Sequence, residues 1–209
     1  MIHPDTELRF ISAEKGYGLV AKKMIPKGTI TWVLDRLDRS FSPMEVDEMD
    51  TVCKDIIGTY TFRNNQGNYI LCWDNGRFVN HSFNSNCLTT AYDYEIAIRD
   101  IQEGEEVTDD YGYLNIESPF RALPEKSRRK IVYPDDLKKY YKSWDKKLQD
   151  SIKCILSVPQ PLKDLLSHDV WQKSVKIANG MEEMDSILNC FYEENGLSQH
   201  GTGHQNGRA

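Results

Sequence analysis

Cysteine is sparse and scattered in this chain of 209 residues. There are five, Cys53, Cys72, Cys87, Cys154 and Cys190, and no two of them form a C-x-x-C pair. Only His81 lies within a few residues of any of them. The set therefore offers no zinc-ligand spacing, no metal is expected, and dispersed thiols suit a reducing compartment. No apolar run approaches the roughly 20 residues that span a bilayer. Met1–Arg9 has neither the basic start nor the apolar h-region of a signal peptide, so an intracellular address and no membrane contact are expected. Also missing are a G-x-S-x-G elbow, a Walker loop, an H-E-x-x-H helix and any internal repeat. Gly16-Tyr17-Gly18 lacks the third glycine and the strand-to-helix setting of a dinucleotide fingerprint.

What remains is ordinary in bulk and uneven in charge. The hydrophobic share of 39% and charged share of 28% fit a globular chain long enough for one good core. Residues 8–114 hold 11 Lys/Arg against 17 Asp/Glu, while residues 115–209 hold 15 against 13. An acidic front half argues against binding a phosphate backbone, so no nucleic-acid partner is expected, and it is compatible with a basic substrate segment.

The front half reads as short strands broken by glycine turns. Arg9–Ser12 and Leu19–Lys23 flank a tight Gly16-Tyr17-Gly18 connection, and Ile25-Pro26-Lys27-Gly28 has the residues of a type I turn. Ile30 to Leu34 forms a strand, and Ser42-Pro43-Met44-Glu45 opens a helix with a capping box that is expected to run to about Ile57 and stop at Gly58. Strands are expected again over Tyr60–Phe62, Tyr69–Cys72, Thr89–Tyr94 and Glu95–Arg99, followed by a turn at Gln102–Glu105. A basic, proline-containing linker covers 115–133. From Pro134 to residue 195 the periodicity becomes helical. One stripe holds Leu137, Trp144, Leu148, Ile152 and Ile155, a second helix fits Leu162–Ala178, and a third stripe holds Met181, Met184, Ile187, Leu188 and Phe191. The tail, 196–209, lacks apolar anchors and reads as disordered.

Two segments carry chemistry. Arg77-Phe78-Val79-Asn80-His81-Ser82 with Asn86 is a dense amide and imidazole loop, and about two dozen residues later Glu105-Glu106-Val107 leads into Asp110-Tyr111-Gly112. Taken with Gly16-Tyr17-Gly18, these blocks resemble, in order and separation, the motif regions of the SET-domain lysine methyltransferases over roughly residues 8–114. The resemblance implies a mainly β SET fold, small curved sheets around a knot-like core with an inserted helix, here followed by a C-terminal α-helical lobe. It implies S-adenosylmethionine on one face and a lysine-bearing protein substrate, a histone or other basic protein, entering from the other. Tyr111 matches the catalytic tyrosine, and Tyr60 stands where the family has a channel tyrosine. Lys15, Gly16, Tyr17, Gly18, Arg77, Asn80, His81 and Tyr111 are the implied cofactor residues. The residue types suit the task, because methyl transfer from a sulfonium needs a neutral amine, alignment and exclusion of water rather than a strong acid.

The departures are as informative. Phe83 stands where many relatives carry a zinc-binding cysteine, and no cysteine cluster follows Tyr113. The helices after Pro134 then replace the zinc-bound flap, with Phe120, Tyr140, Tyr141 and Trp144 as candidate covering aromatics. Asp109 occupies a position where relatives carry Phe or Tyr, which leaves the methylation state open. It also motivates the alternative of a non-catalytic, SET-like protein-interaction module.

Overall fold

The computed structural model describes residues 1–193, so the expected tail and the end of the helical segment lie outside the described residues. The chain opens with β1 (Thr6–Ser12) and β2 (Gly16–Ala21), then β3 (Ile30–Val33) and β4 (Arg39–Phe41). Two surface helices follow, α1 (Pro43–Asp47) and α2 (Thr51–Tyr60). The next strands are β5 (Thr61–Arg63), β6 (Tyr69–Leu71), β7 (Asn80–His81), β8 (Cys87–Thr89), β9 (Tyr94–Ala97) and β10 (Glu106–Asp109). They form three small sheets, in the orders β1-β2-β10-β7, β3-β9-β8 and β4-β6-β5. A two-stranded ribbon, β11 (Phe120–Arg121) with β12 (Ile131–Val132), occupies the segment read as a linker. The helices α3 (Asp136–Ile152) and α4 (His168–Ala178) complete the described chain. None of its helices is long and apolar enough to cross a membrane.

The expected helix over 42–57 is two helices. Ser42 and Glu45 form the capping box reciprocally, but the Asp50 carboxylate accepts from the Cys53 amide at 2.9 Å and starts a new helix. Neither helix is held by a deep face: α1 buries nothing and α2 only Ile57, so a strong local cap decides where the chain restarts. Gly58 lies inside α2, which runs on to Tyr60. The Pro26 turn is displaced by one residue, closing from Thr29 N–H to the Pro26 carbonyl at 3.1 Å. Gly28 then sits third in the turn at φ +91°, where a Cβ would also stand 2.6 Å from that of Cys154. Thr89–Tyr94 is not one strand, because residues 90–93 make the hairpin between β8 and β9 with Asp93 at φ 59°.

The C-terminal helices share a core with the β3-β9-β8 sheet. Leu137, Trp144, Leu148 and Ile152 are buried on one face of α3, as the stripe predicts, and meet Ile30, Val33, Leu88, Tyr94 and Ile96 of the sheet. The second helix starts later than expected, since the Ser167 hydroxyl caps α4 by accepting from Val170 N–H. The third stripe is irregular chain with one 3-10 turn at Ile187–Cys190, anchored where Asp145 accepts from Ser186 and Ile187 N–H. Gln160, between two prolines, caps the start of β3 by accepting from Ile30 N–H and donating to the Gly28 carbonyl, each at 2.8 Å.

Arg129 ties the β half to α3. Its guanidinium bonds Asp110, directly before Tyr111, and Asp136, in the first turn of α3, at 2.5 Å in the second case. It lies over the rings of Phe83 and Tyr140, each 4.4 Å from the centroid. Both carboxylates are 2% exposed, so removing the cation strands two buried anions. Arg129→Ala is therefore expected to lower the unfolding free energy by about 3–5 kcal/mol, read from urea denaturation. Arg129→Lys should recover only part of it, because an ammonium cannot fork between two carboxylates and stack on rings at once.

Candidate functional site

The site is assembled by one short parallel pairing. β10 runs beside β7 with Thr108 opposite Asn80 and Asp109 opposite His81. Asn86, fully buried, clasps this pairing: its side-chain oxygen accepts from Thr108 N–H at 2.9 Å and its amide donates to the Glu106 carbonyl at 2.8 Å. Ser82 N–H donates to the Asp109 carbonyl at 2.8 Å. Glu125 closes the loop from outside, accepting from the Ser82 hydroxyl at 2.7 Å and Phe83 N–H at 2.6 Å.

His81 is fixed rather than poised for proton transfer. Its Nδ1 accepts from Tyr111 N–H at 3.1 Å, which places the proton of a neutral ring on Nε2, and that atom is buried without a partner among the described residues. Burial lowers its pKa to about 4, and the opposing pull of Glu125 does not offset this. The ring is boxed by Phe83, Tyr111 and Phe120, with centroids at 4.5, 5.4 and 5.5 Å.

Two cavities meet at this point. The first, about 460 Å³, is lined by Tyr60, Phe62, Arg77, Glu95 and Asp109 among others. The second, about 590 Å³, is lined by Lys15, Asn80, His81, Glu106 and the ribbon around Glu125. Tyr111 and Phe120 are the residues common to both walls. The Tyr111 hydroxyl donates to the Val79 carbonyl at 2.6 Å, and burial, then the nearby Asp109 carboxyl, push its pKa well above the ordinary phenol value.

The residues singled out from sequence divide between the cavities. Lys15, Asn80 and His81 come together on the second, where Lys15 pairs with Glu106 at 2.6 Å and Asn80 donates to the same carboxylate at 2.8 Å. Tyr60 faces the first cavity, its ring 5.4 Å from that of Phe78. Arg77 is also on the first cavity, exposed and over the Phe78 ring, where it shares the wall with Tyr111 but not with Lys15, Asn80 and His81. Gly16, Tyr17 and Gly18 line neither cavity. Tyr17 contributes its carbonyl, which accepts from the Asn80 amide at 3.0 Å. Gly18 is needed by its neighbours rather than by an open approach, since a Cβ there would lie 2.6 Å from Asn80 Nδ2 and 2.7 Å from Glu106 Oε1. Of the candidate covering aromatics, Phe120 lies at the site, while Trp144 is buried against Tyr113 and Tyr140.

Sequence reasoning missed Glu95. It sits on β9 between Tyr94 and Ile96, where alternation would turn a charge to solvent, yet it is 8% exposed and shares the first cavity with Asp109, 5% exposed. Burial and the adjacent carboxyl raise Glu95 well above the usual carboxylate range, and burial raises Asp109 to about 6. The aspartate in an aromatic position was the only signal in the sequence, and it did not point to its partner.

The lowered pKa of His81 sets a linkage of known sign. Its folded value, about 4, lies below the unfolded value of 6.5, so its contribution to stability is present above 6.5 and is lost as pH falls towards 4. The expected NMR result is a His81 ring whose proton shifts stay flat from about pH 5.5 to 8, where an ordinary histidine would titrate. A midpoint near 6.5 would contradict the boxed, neutral ring.

A comparison with family models matches residues 16–112 to the SET domain. No curated protein matches the chain. The matched span holds the glycine-flanked start of β2, the Asn80–His81 loop clasped by Asn86 and the Asp110-Tyr111-Gly112 turn beside it, and over residues 16–112 the chain is similar to the SET domain.

Proposed function

We propose that this chain is an S-adenosylmethionine-dependent protein-lysine N-methyltransferase acting on a histone or other basic protein. One observation carries the reading: two cavities of opposite character have Tyr111 and Phe120 as their common wall. The family's knotted threading of the Tyr111 segment past the Asn80–His81 loop belongs to the same reading.

The second cavity fits the cofactor's amino-acid end, a carboxylate and an ammonium, because it presents both signs together. Lys15 would hold the carboxylate, with Glu106 and the Asn80 side chain as acceptors for the ammonium. When bound, S-adenosylmethionine supplies a methyl group activated by a positive sulfur. The chain's own part is positional. Tyr111, kept protonated, presents a hydroxyl fixed by the Val79 carbonyl at the meeting point of the cavities and orients the incoming amine. His81, Phe83 and Phe120 exclude water from that point, favouring an uncharged nitrogen and in-line alignment. Tyr60 borders the path of the lysine stem.

The test is transfer of a radiolabelled methyl group to histones, ribosomal proteins and lysate, beside calorimetric cofactor binding. Tyr111→Phe is expected to lower transfer by about 100-fold or more, the scale of losing a transition-state donor, while cofactor affinity holds. Retained turnover would remove Tyr111 from the chemistry. Cofactor binding with no acceptor labelled by the wild type would favour the interaction-module alternative. Gly18→Ala should weaken cofactor binding without such selectivity, since the new Cβ displaces Asn80 and Glu106 together.

A further inference from the structure

The first cavity ends in a feature that an apolar lysine channel does not need. Asp109 and Glu95 approach from β10 and β9, both buried, both on the cavity wall. Asp109 Oδ1 has no hydrogen-bond partner among the described residues. A buried acceptor left unpaired costs about 1–3 kcal/mol, and more when charged, so its persistence points to a ligand that satisfies it. The same wall carries Tyr111, and Asp109 stands two residues before it on the same side of the chain.

We propose that Asp109 and Glu95 form the amine-recognition site of the first cavity, where the carboxyl pair receives the substrate lysine as its ammonium and takes one proton from it. This rests on the methyl-transfer reading of the two cavities. The pair supplies what Tyr111, a protonated donor, does not: a place for the proton that must leave before nitrogen has a lone pair.

The surroundings support a single negative charge there. Two carboxyls this close, both desolvated, do not both ionise near neutrality, and Asp109 is raised only to about 6. Glu95, raised further by burial and by the Asp109 carboxyl, keeps its proton beside the Asp109 anion. Tyr111, Cys72, Cys87 and Asp110 are the other titratable groups around the pair, and none of them is a cation. The amino terminus acts on Glu95 but is itself paired with Asp35 at 2.8 Å. On the same cavity Arg77 is exposed and Arg63 is engaged with Glu117 and the Tyr69 and Tyr192 rings. An ammonium reaching Asp109 meets an anion whose Oδ1 is buried and has no hydrogen-bond partner among the described residues. One N–H bond breaks, the proton goes to the carboxylate, and nitrogen keeps the electron pair. Ammonium and carboxylate become amine and carboxylic acid, with charge and atoms conserved. Burial drives that collapse, because it penalises both ions and neither neutral partner.

The experiment uses the whole chain, n-butylammonium chloride as the amine probe and n-pentanol as its neutral counterpart, in calorimetry with buffers of differing ionisation enthalpy. At about pH 7.5 the wild type should bind butylammonium with no net proton release, since the proton stays in the site, whereas near pH 5, below the Asp109 value, binding should weaken and expel a proton. Asp109→Asn and Glu95→Gln should each bind butylammonium about tenfold or more weakly, with pentanol affinity unchanged. Thermal melts identify which variants are folded, and either one alone carries the comparison. Undetectable butylammonium binding to the wild type, equal affinity in wild type and folded variants, or release of a full proton by the wild type near neutrality each overturns the proposal. Its failure is separable from that of the enzyme reading. Pair-dependent butylammonium binding without cofactor binding sinks methyl transfer and leaves the amine site, while Tyr111-dependent labelling without pair-dependent binding does the reverse.

Discussion

A parallel pairing of two residues each is too short to stand on its own ladder, and the site exists because a buried side chain extends it. Asn86 fixes Glu106 and Thr108 of β10 through its side-chain amide, while its backbone accepts from Ile98 N–H at 2.9 Å beside β9. One residue thus couples two sheets at the place where Asn80, His81, Asp109 and Tyr111 converge. A buried polar residue with every bond made specifies a unique arrangement, and one with a bond missing is destabilising. Asn86 therefore holds the pairing of β7 and β10 from outside either cavity wall.

The second requirement is closure over the site. Phe83 packs edge-on to His81 and beneath the Arg129 guanidinium. Arg129 then links the turn before Tyr111 to the start of α3, and Glu125 on the same ribbon holds the Ser82–Phe83 backbone. A cation with two buried anions and stacked rings holds these segments together. Its cost is desolvation, and this explains why its partners are nearly inaccessible: in water, each ion pair would be worth little.

The parts legible in sequence are those whose cause is local. The Ser42 capping box, the Gln102–Glu105 turn, the end of α4 at Asn179-Gly180 and the apolar face of α3 each depend on neighbours within a turn or two. The motif loops were legible because several unusual residues recur together. What sequence reasoning missed depends on partners far along the chain. Asn115 takes φ 52° and bridges Arg63, Cys190 and Tyr192, residues up to 77 positions away from it. Glu95 looks like a surface residue until β9 is seen to be covered on both faces. Where local rules failed outright, at Asp50 and Ser167, a side-chain cap outcompeted hydrophobic periodicity, and both residues are of the type that should have been weighed as helix starts.

The two cavities act in the same direction on the group between them. Burial is the largest cause that keeps the Tyr111 phenol protonated, and the Asp109 and Glu95 carboxyls of the first cavity add to it. Glu106, on the second, adds to it as well, although it is paired with Lys15. Tyr111 therefore stays neutral under charges held on both sides. Asp109 is the largest of those charges, so the aspartate is tied to the protonation of the tyrosine two residues on. It should then be judged with Tyr111 and Glu95 as one unit rather than as a substitution in the channel wall.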